Sequence, residues 1–214
     1  MLALLTALFL PVLALGAPRA SPASPAPPAH TLNPSWKFQH HLPTKPGNAV
    51  IYNFCEYDLW MWATRGAKKG EVAQAPTMTK LPAGNAYAFD GLQPLCDGEC
   101  GMSVKISKTE QQVDVTQFEY AVTANNMTYY DISFVDCVNG NDASKCPGWD
   151  QGLIVTGGEG WDASCERLEC AAKEVCDKSA YFVSLDKFKG AIHPVRTCAA
   201  KWGLNYAACA RNMK

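Results

Sequence analysis

Short segments in which apolar and polar residues alternate recur between residues 48 and 157 of the chain. They read NAVIYNF, AYAF, MSVKIS, VDVTQFEYAV, YYDISFV and GLIVTG, and clusters of Gly, Pro, Asn and Asp separate them. Side chains alternate along a strand, so Phe118 and Tyr120 share one face of the fourth segment while Glu119 lies on the other. This rhythm predicts an all-β protein, an antiparallel β-sandwich or barrel.

Two later segments have a different pattern. In CERLECAAKEVC, residues 165–176, apolar side chains recur at spacings of three and four, which predicts a short helix held by its own cysteines. The segment TCAAKWGLNYAACARNMK, residues 197–214, predicts another helical turn, although Gly203 weakens it. Both segments are expected to lie outside the sheets.

The first 46 residues lack the strand pattern. Residues 1–16, MLALLTALFLPVLALG, form an apolar run too short to span a bilayer, and they predict a secretory signal peptide even though a basic start is missing. Residues 17–46 are rich in Pro, Ala and Ser and predict a linker or a processed arm, because they bury too little apolar surface to offset the entropy of ordering. Residues 47–214 are expected to form one exported, monomeric domain that does not insert into a membrane.

Cysteine usage points to an oxidising compartment. The chain has 10 cysteines, and an exported thiol meets no glutathione pool that would keep it reduced, so five disulfides are expected. The cysteines expected to form disulfides are Cys55, Cys96, Cys100, Cys137, Cys146, Cys165, Cys170, Cys176, Cys198 and Cys209. Zinc binding is the alternative for Cys165, Cys170 and Cys176. Because the chain has only 4 histidines, neither a metal nor a cofactor is expected.

The charge of the domain narrows the class of partner. Three basic residues and no acid lie in the first 46 positions, which leaves 16 of the 19 basic groups and all 20 acidic groups in the domain, a net charge of −4. This balance gives no electrostatic basis for binding nucleic acid or an anionic membrane. A neutral polymer or a cationic partner fits it better.

An ordered series of segments resembles a known family. NAVIYNFCEYDLWMW is followed by CDGECGMSVKIS, TQFEYAV and YYDISFVD, and then by a cysteine before Ala180-Tyr181, an acid at Asp186 and the pair Thr197-Cys198. This order resembles that of thaumatin-like proteins, and more closely the short fungal branch that includes the yeast-phase-specific secreted proteins. The resemblance implies a β-sandwich with disulfide-tied loops and, on one side, a cleft lined by acids.

The resemblance also implies which residues line that cleft. Asp131 and Asp136 match the two acids of the family's YD-x-S-x-VD segment, and Asp186 stands where a third acid follows the Ala-Tyr pair. Gln117 occupies the position of the family's Glu, but Glu119 lies two residues further on and therefore on the same strand face. The Arg that the family places before CDGEC is absent from this chain.

The same resemblance implies two disulfide pairings. Cys55 is expected to pair with Cys209, which ties the first strand to the far end of the domain, and Cys96 is expected to pair with Cys100. Cys137 replaces a Gly of the family, so the resemblance does not identify its disulfide partner.

Three interpretations of the acids remain open on the sequence. On one extended strand, Asp131 and Asp136 would lie roughly 16 Å apart and on opposite faces, whereas glycoside hydrolysis requires carboxylates about 5 to 9.5 Å apart. Glu119 and Asp131, from neighbouring strands, are therefore the better candidate catalytic pair, and a bend after Val135 would bring Asp136 towards them. The alternatives are ordinary strand-end acids in solvent, and a non-catalytic sugar-binding cleft formed by Glu119, Asp131, Asp136 and Asp186.

Aromatic and amide side chains add further candidates. Trp60 and Trp62 alternate in DLWMW, so they form either an exposed aromatic stripe for polysaccharide or the buried face of a strand. Asn126 begins the sequon Asn-Met-Thr in an expected inter-strand loop, which makes it a candidate glycosylation site. His193 is the domain's single histidine, and no nucleophile pattern accompanies it.

The function that these features favour is binding of cell-wall polysaccharide, with β-glucan as the ligand, by a secreted or cell-wall-associated glycoprotein that does not cleave it. One alternative is a secreted effector, adhesin or antigen that binds a host surface protein and contributes to virulence, because a fold by itself does not fix a function. The other alternative is an endo-β-1,3-glucanase whose catalytic candidates are Glu119 and Asp131.

Overall fold

The computed structural model describes residues 30–31, 47–73, 75–89, 91–158, 161, 165–190 and 192–210. The predicted signal peptide and all but two residues of the predicted arm lie outside the described residues. In the part of the chain that is described, no helix has the length and apolar character needed to cross a membrane.

The described residues form twelve strands in two six-stranded sheets. In chain order the strands are β1 (His30–Thr31), β2 (Ala49–Asn53), β3 (Leu59–Arg65), β4 (Met78–Leu81), β5 (Asn85–Phe89), β6 (Gly101–Ser107), β7 (Thr116–Val122), β8 (Met127–Ser133), β9 (Leu153–Gly157), β10 (Leu168–Cys170), β11 (Arg196–Ala199) and β12 (Leu204–Ala208). The first sheet has the order β1-β5-β2-β12-β9-β10, and the second has the order β11-β8-β7-β6-β3-β4. Neighbouring strands run antiparallel except β2 and β12, which are parallel. The predicted all-β class is confirmed.

The two sheets pack on each other through the apolar faces of their strands. On β7, the Phe118 ring lies 4.8 Å from the ring of Tyr206 on β12, and both side chains are fully buried. The hydroxyl of Tyr206 donates a 2.9 Å hydrogen bond to the backbone carbonyl of Glu119. Because burying one large apolar side chain contributes about 1.5 to 3 kcal/mol, the inward face of the alternating pattern holds the sandwich together.

Five disulfides join all ten cysteines. The structure forms both bridges that the resemblance implies, Cys55–Cys209 and Cys96–Cys100, with Cα atoms 4.9 and 5.3 Å apart. Because every thiol is paired, the three cysteines considered as zinc ligands are not available to a metal. The other bridges are Cys137–Cys146, Cys165–Cys198 and Cys170–Cys176.

The helix predicted over residues 165–176 is wrong. Leu168–Cys170 is strand β10, which pairs with β9, and Cys165 bridges to Cys198 on β11. Lys173 has a φ of 63°, in the left-handed region that a helix interior does not contain. Long-range pairing and cross-links therefore override the local three-and-four spacing.

The second helical prediction holds for a single 3-10 turn, Ala200–Trp202. Gly203 ends that turn with a φ of 76°, a value that glycine adopts without steric cost. The chain then continues as β12, between β2 and β9. The expectation that this segment lies outside the sheets is wrong, because β12 is an interior strand of the first sheet.

Candidate functional site

The outward face of the second sheet carries polar side chains where β6, β7 and β8 lie side by side. Ser103 on β6 is opposite Glu119 on β7, and Glu119 is opposite Asp131 on β8. Side chains directly opposite in antiparallel strands have Cβ atoms about 4.5–5.5 Å apart, so the register alone gathers these three groups. Their strand neighbours Phe118 and Ile132 point the other way and are fully buried.

Glu119 and Asp131 form a hydrogen-bonded carboxyl pair. Burial, together with the negative charge of Glu119, raises the pKa of Asp131 to about 8. Burial also raises the pKa of Glu119, while a hydrogen bond with Ser103 and the charge of Lys105 oppose that rise. Two adjacent buried carboxyl groups do not both ionise readily, so near neutral pH Asp131 keeps its proton and donates it to the Glu119 carboxylate.

Asp136 reaches this pair because the chain turns directly after β8. The N–H of Cys137 donates to the carbonyl of Phe134 over 2.9 Å, which closes the turn. Asp136 forms a 2.9 Å salt bridge with Lys105 on β6, and its charge raises the pKa of Glu119. The bend that the sequence indicates at this point is present, and it places a third acid beside the carboxyl pair.

Tyr181 borders the carboxyl pair from a separate loop. Its backbone forms hydrogen bonds with both neighbours of Ser133, which fix the loop against the end of β8. Burial, and then the charges of Asp131 and Glu119, raise the pKa of the Tyr181 hydroxyl. That hydroxyl also lies 3.0 Å from Nδ1 of His193.

Asp186 has a different environment. Its carboxylate is exposed, and a hydrogen bond from Ser184, together with the charge of Lys187, lowers its pKa. These contacts lie within its own loop. The structure thus gathers Glu119, Asp131 and Asp136 into one site, which we call the acidic site, and shows local contacts for Asp186.

Sequence reasoning missed two residues of this site, Ser103 and Lys105. The signal was present in MSVKIS, where the two residues share one strand face and the buried Val104 and Ile106 share the other. Lys105 supplies a cation to a site that lacks the family's Arg. The missing information was the register between β6 and β7, which alternation within one strand does not specify.

The aromatic side chains considered for stacking on a sugar differ in how exposed they are. Trp62 lies opposite Lys105 but is only 7% exposed, and Trp60 is half-buried beneath the Lys80 ammonium, 5.6 Å from its ring centroid. An exposed stripe of two tryptophans is therefore not formed. Tyr129 lies two residues before Asp131 on the same strand face and is 45% exposed, which makes it the available stacking surface beside the acids.

Asn126 lies in the turn that joins β7 to β8. The residue is exposed, and its φ of 60° is a conformation that Asn tolerates better than most residues. Glycosylation of Asn126 stays a prediction.

Comparisons with known proteins agree with the family resemblance and the fold. The family model described as Blastomyces yeast-phase-specific protein, Bys1, matches residues 40–210. The secreted thaumatin-like protein calA of Emericella nidulans is 27% identical over 154 residues, which cover 72% of this chain and 76% of that protein. The crystal structure of the protein elicitor MoHrip2 from Magnaporthe oryzae is similar with a TM-score of 0.50 and 21% identity, covering 76% of this chain and 98% of that one. At that identity the likeness concerns the fold.

The cross-linked sandwich and these matches define a secreted thaumatin-like protein. Within that class, the chain belongs to the Blastomyces yeast-phase-specific family, the short fungal branch. The family resemblance and the extracellular location predicted from the sequence are confirmed.

Proposed function

We propose that the protein binds a neutral cell-wall polysaccharide, β-glucan, at the acidic site and does not cleave it. The observation that supports this most is the Glu119–Asp131 pair, which holds one proton beside the Lys105 ammonium. The site thereby offers a charged acceptor, a neutral acid and a cationic donor on one face of the sheet. Sugar hydroxyls both donate and accept hydrogen bonds, so this mixture matches them better than acids alone would.

One oxygen of the pair lacks a hydrogen-bond partner. Oδ1 of Asp131 is buried and has no hydrogen-bond partner among the described residues. A buried acceptor without a partner costs about 1–3 kcal/mol, and a sugar hydroxyl would recover that free energy if binding exposed this oxygen to it. The exposed ring of Tyr129 on the same face is positioned to stack on a sugar ring.

The spacing of the carboxyl groups argues against cleavage. Oxygens joined by a hydrogen bond lie about 2.5–3.0 Å apart, whereas glycosidases place the two carboxyl groups at least about 5 Å apart to flank the scissile bond. No sugar oxygen fits between Glu119 and Asp131 while they remain bonded to each other. Binding without turnover is therefore the function that this geometry favours.

An endo-β-1,3-glucanase is the second candidate, and one observation favours it. Burial and the charge of Glu119 raise the pKa of Asp131 to about 8, so Asp131 keeps its proton near neutral pH, as the acid of an acid–base pair must. We expect no release of reducing sugar when the secreted protein is incubated with laminarin at pH values from about 4 to 8. Release that disappears in both Glu119→Gln and Asp131→Asn would establish the enzyme instead.

The binding proposal predicts retention of the wild-type protein on insoluble β-1,3-glucan. Glu119→Gln removes the charged acceptor of the site, and a hydrogen bond to a charged group contributes about 1.5–3 kcal/mol, so retention should weaken by about tenfold or more. The bound fraction is measured in a sedimentation assay at increasing glucan concentration. Retention should also fall above about pH 8, where Asp131 loses the proton that it donates.

Glu110→Gln is the matched control, because Glu110 is an exposed acid on the loop between β6 and β7. It should be retained as the wild type is. A wild-type protein that is not retained at any pH, or a Glu119→Gln variant that is retained equally well, would reject the acidic site. If the protein does not bind glucan but binds a host surface protein, the effector or adhesin alternative is supported.

A further inference from the structure

A concave site lies in residues 177–190 and 192–196, a stretch that we call the basic loop. It encloses a cavity of about 640 Å³, a volume within the range of about 300–1,000 Å³ that is usual for small-molecule sites. None of the acidic-site residues Glu119, Asp131 or Asp136 lines it. The cavity is therefore a separate site with its own chemistry.

The position of Tyr181 keeps the two sites apart. Tyr181 extends alongside β8, and its hydroxyl interacts with the charges of Asp131 and Glu119. Its chain neighbours Ala180 and Phe182 line the cavity. The Tyr181 ring packs edge-on at 5.6 Å against Phe188, which also lines the cavity, so the Tyr181 side chain lies between the two sites.

The floor of the cavity is aromatic and held in place. The Phe182 ring packs edge-on against the core residue Phe134 at 5.2 Å, and the Phe188 ring stacks on His193 at 4.6 Å. At the mouth, Ile192 is 80% exposed. Apolar surface in contact with water is unfavourable, so an apolar ligand that covers this lining would gain free energy by displacing water.

The rim of the cavity is cationic. Lys178, Lys187 and Lys189 are exposed around it and outnumber the single lining acid, Asp177. Arg196 is engaged in a 2.8 Å ion pair with Glu166. Residues 177–196 contain four basic and two acidic side chains, a net charge of +2 within a domain whose net charge is −4. This local reversal of sign favours a ligand with a negatively charged group.

We propose that the cavity binds a single-chain anionic amphiphile of the fatty-acid type. The aromatic and aliphatic lining takes the hydrocarbon chain, and the lysines at the rim take the carboxylate. A sulfated sugar would account for the lysines but would leave the apolar lining uncovered. A flat membrane surface would contact the rim without filling the cavity.

The test is calorimetric titration of the full secreted protein with dodecanoate below its critical micelle concentration. Saturable binding with one site per chain is expected. Dodecyltrimethylammonium has the same chain and the opposite charge, and it should bind at least about tenfold more weakly, because the lysines repel it. Acetate, which has the carboxylate without the chain, should show no measurable binding.

Two variants of cavity residues, and one control variant outside the cavity, test whether dodecanoate binds in the cavity. Lys187→Glu/Lys189→Glu should weaken dodecanoate binding by about tenfold, because two favourable charge interactions become repulsive. Lys69→Glu, an equally exposed charge reversal outside the cavity, should leave the affinity unchanged. Ile192→Ser should weaken binding while the charge of the rim stays the same.

Several results would overturn the proposal. They are an absence of saturable dodecanoate binding, equal affinity for dodecyltrimethylammonium, and an unchanged affinity in Lys187→Glu/Lys189→Glu. Lysine-dependent binding to phosphatidylserine-containing vesicles without dodecanoate binding would identify a membrane-surface site instead. Lysine-dependent binding to heparin fragments without dodecanoate binding would identify a sulfated-glycan site. Retention on glucan does not depend on this cavity, so the two proposals fail independently.

Discussion

Removing the Cys55–Cys209 disulfide is expected to lower the free energy of unfolding by about 5 kcal/mol. The bridge spans 154 residues, and the freedom that a cross-link removes from the unfolded chain grows with the length of the loop it closes. Cys209 is one residue after Ala208 and Cys55 is two residues after Asn53, so the bridge closes the end of the parallel pair β2 and β12. The measurement is the urea midpoint and slope of Cys55→Ala/Cys209→Ala against the wild type.

A short disulfide of the same protein provides the control. Cys96–Cys100 spans only 4 residues, and the same chain-entropy relation gives about 2 kcal/mol for its removal. The variant Cys96→Ala/Cys100→Ala should therefore unfold at a clearly higher urea concentration than Cys55→Ala/Cys209→Ala. Equal losses in the two variants would show that loop length is not the source of the stabilisation.

Asp131→Asn is expected to stabilise the protein at about pH 9 and to change its stability little at about pH 4. The pKa of Asp131 is about 8 in the folded protein, against 3.8 for an unperturbed Asp. Stability from this group is complete below about pH 4 and declines as pH rises to about 8, because the unfolded chain releases the proton first. Each pH unit in that window corresponds to about 1.4 kcal/mol, so a neutral Asn should recover a few kcal/mol at alkaline pH.

Thermal unfolding of both proteins across this pH range measures the effect. Asp114→Asn, an exposed position between β6 and β7, is the matched control and should follow the wild-type pH profile. If Asp131→Asn instead lowers the melting temperature equally at every pH, the side chain is needed for packing and its proton is not the cause. A profile parallel to the wild type would likewise contradict a pKa near 8.

Strand-forming composition between turn residues identified six of the twelve described strands. The six segments predicted from residues 48–157 correspond to β2, β5, β6, β7, β8 and β9, since each combines β-branched or aromatic residues with turn formers at its ends. β12 was not identified, because its sequence LNYAA contains no β-branched residue and its partners β2 and β9 are distant in sequence. β10 was mistaken for helix because its three residues leave too short a pattern to compete with the spacing around them.

The acidic site could be predicted only in part. The shift from Gln117 to Glu119 keeps the strand face, and both side chains do face Ser103, which donates a 3.0 Å hydrogen bond to Gln117. The pairing of Glu119 with Asp131 followed from placing them on neighbouring strands. The sequence did not predict that the two carboxyl groups share a proton. Sharing depends on the burial of both groups, and that burial depends on the loop that carries Tyr181.

The place of β12 in the first sheet has a consequence for biosynthesis. The ribosome makes β12 after the eleven other described strands, yet β12 is the element that joins β2 to β9. Until residues 204–208 emerge, those two strands present unpaired apolar edges to the secretory lumen. Such edges are aggregation-prone, and contacts between residues so distant in sequence form slowly. The first sheet is therefore completed late, and β2 and β9 are open to aggregation until β12 is in place.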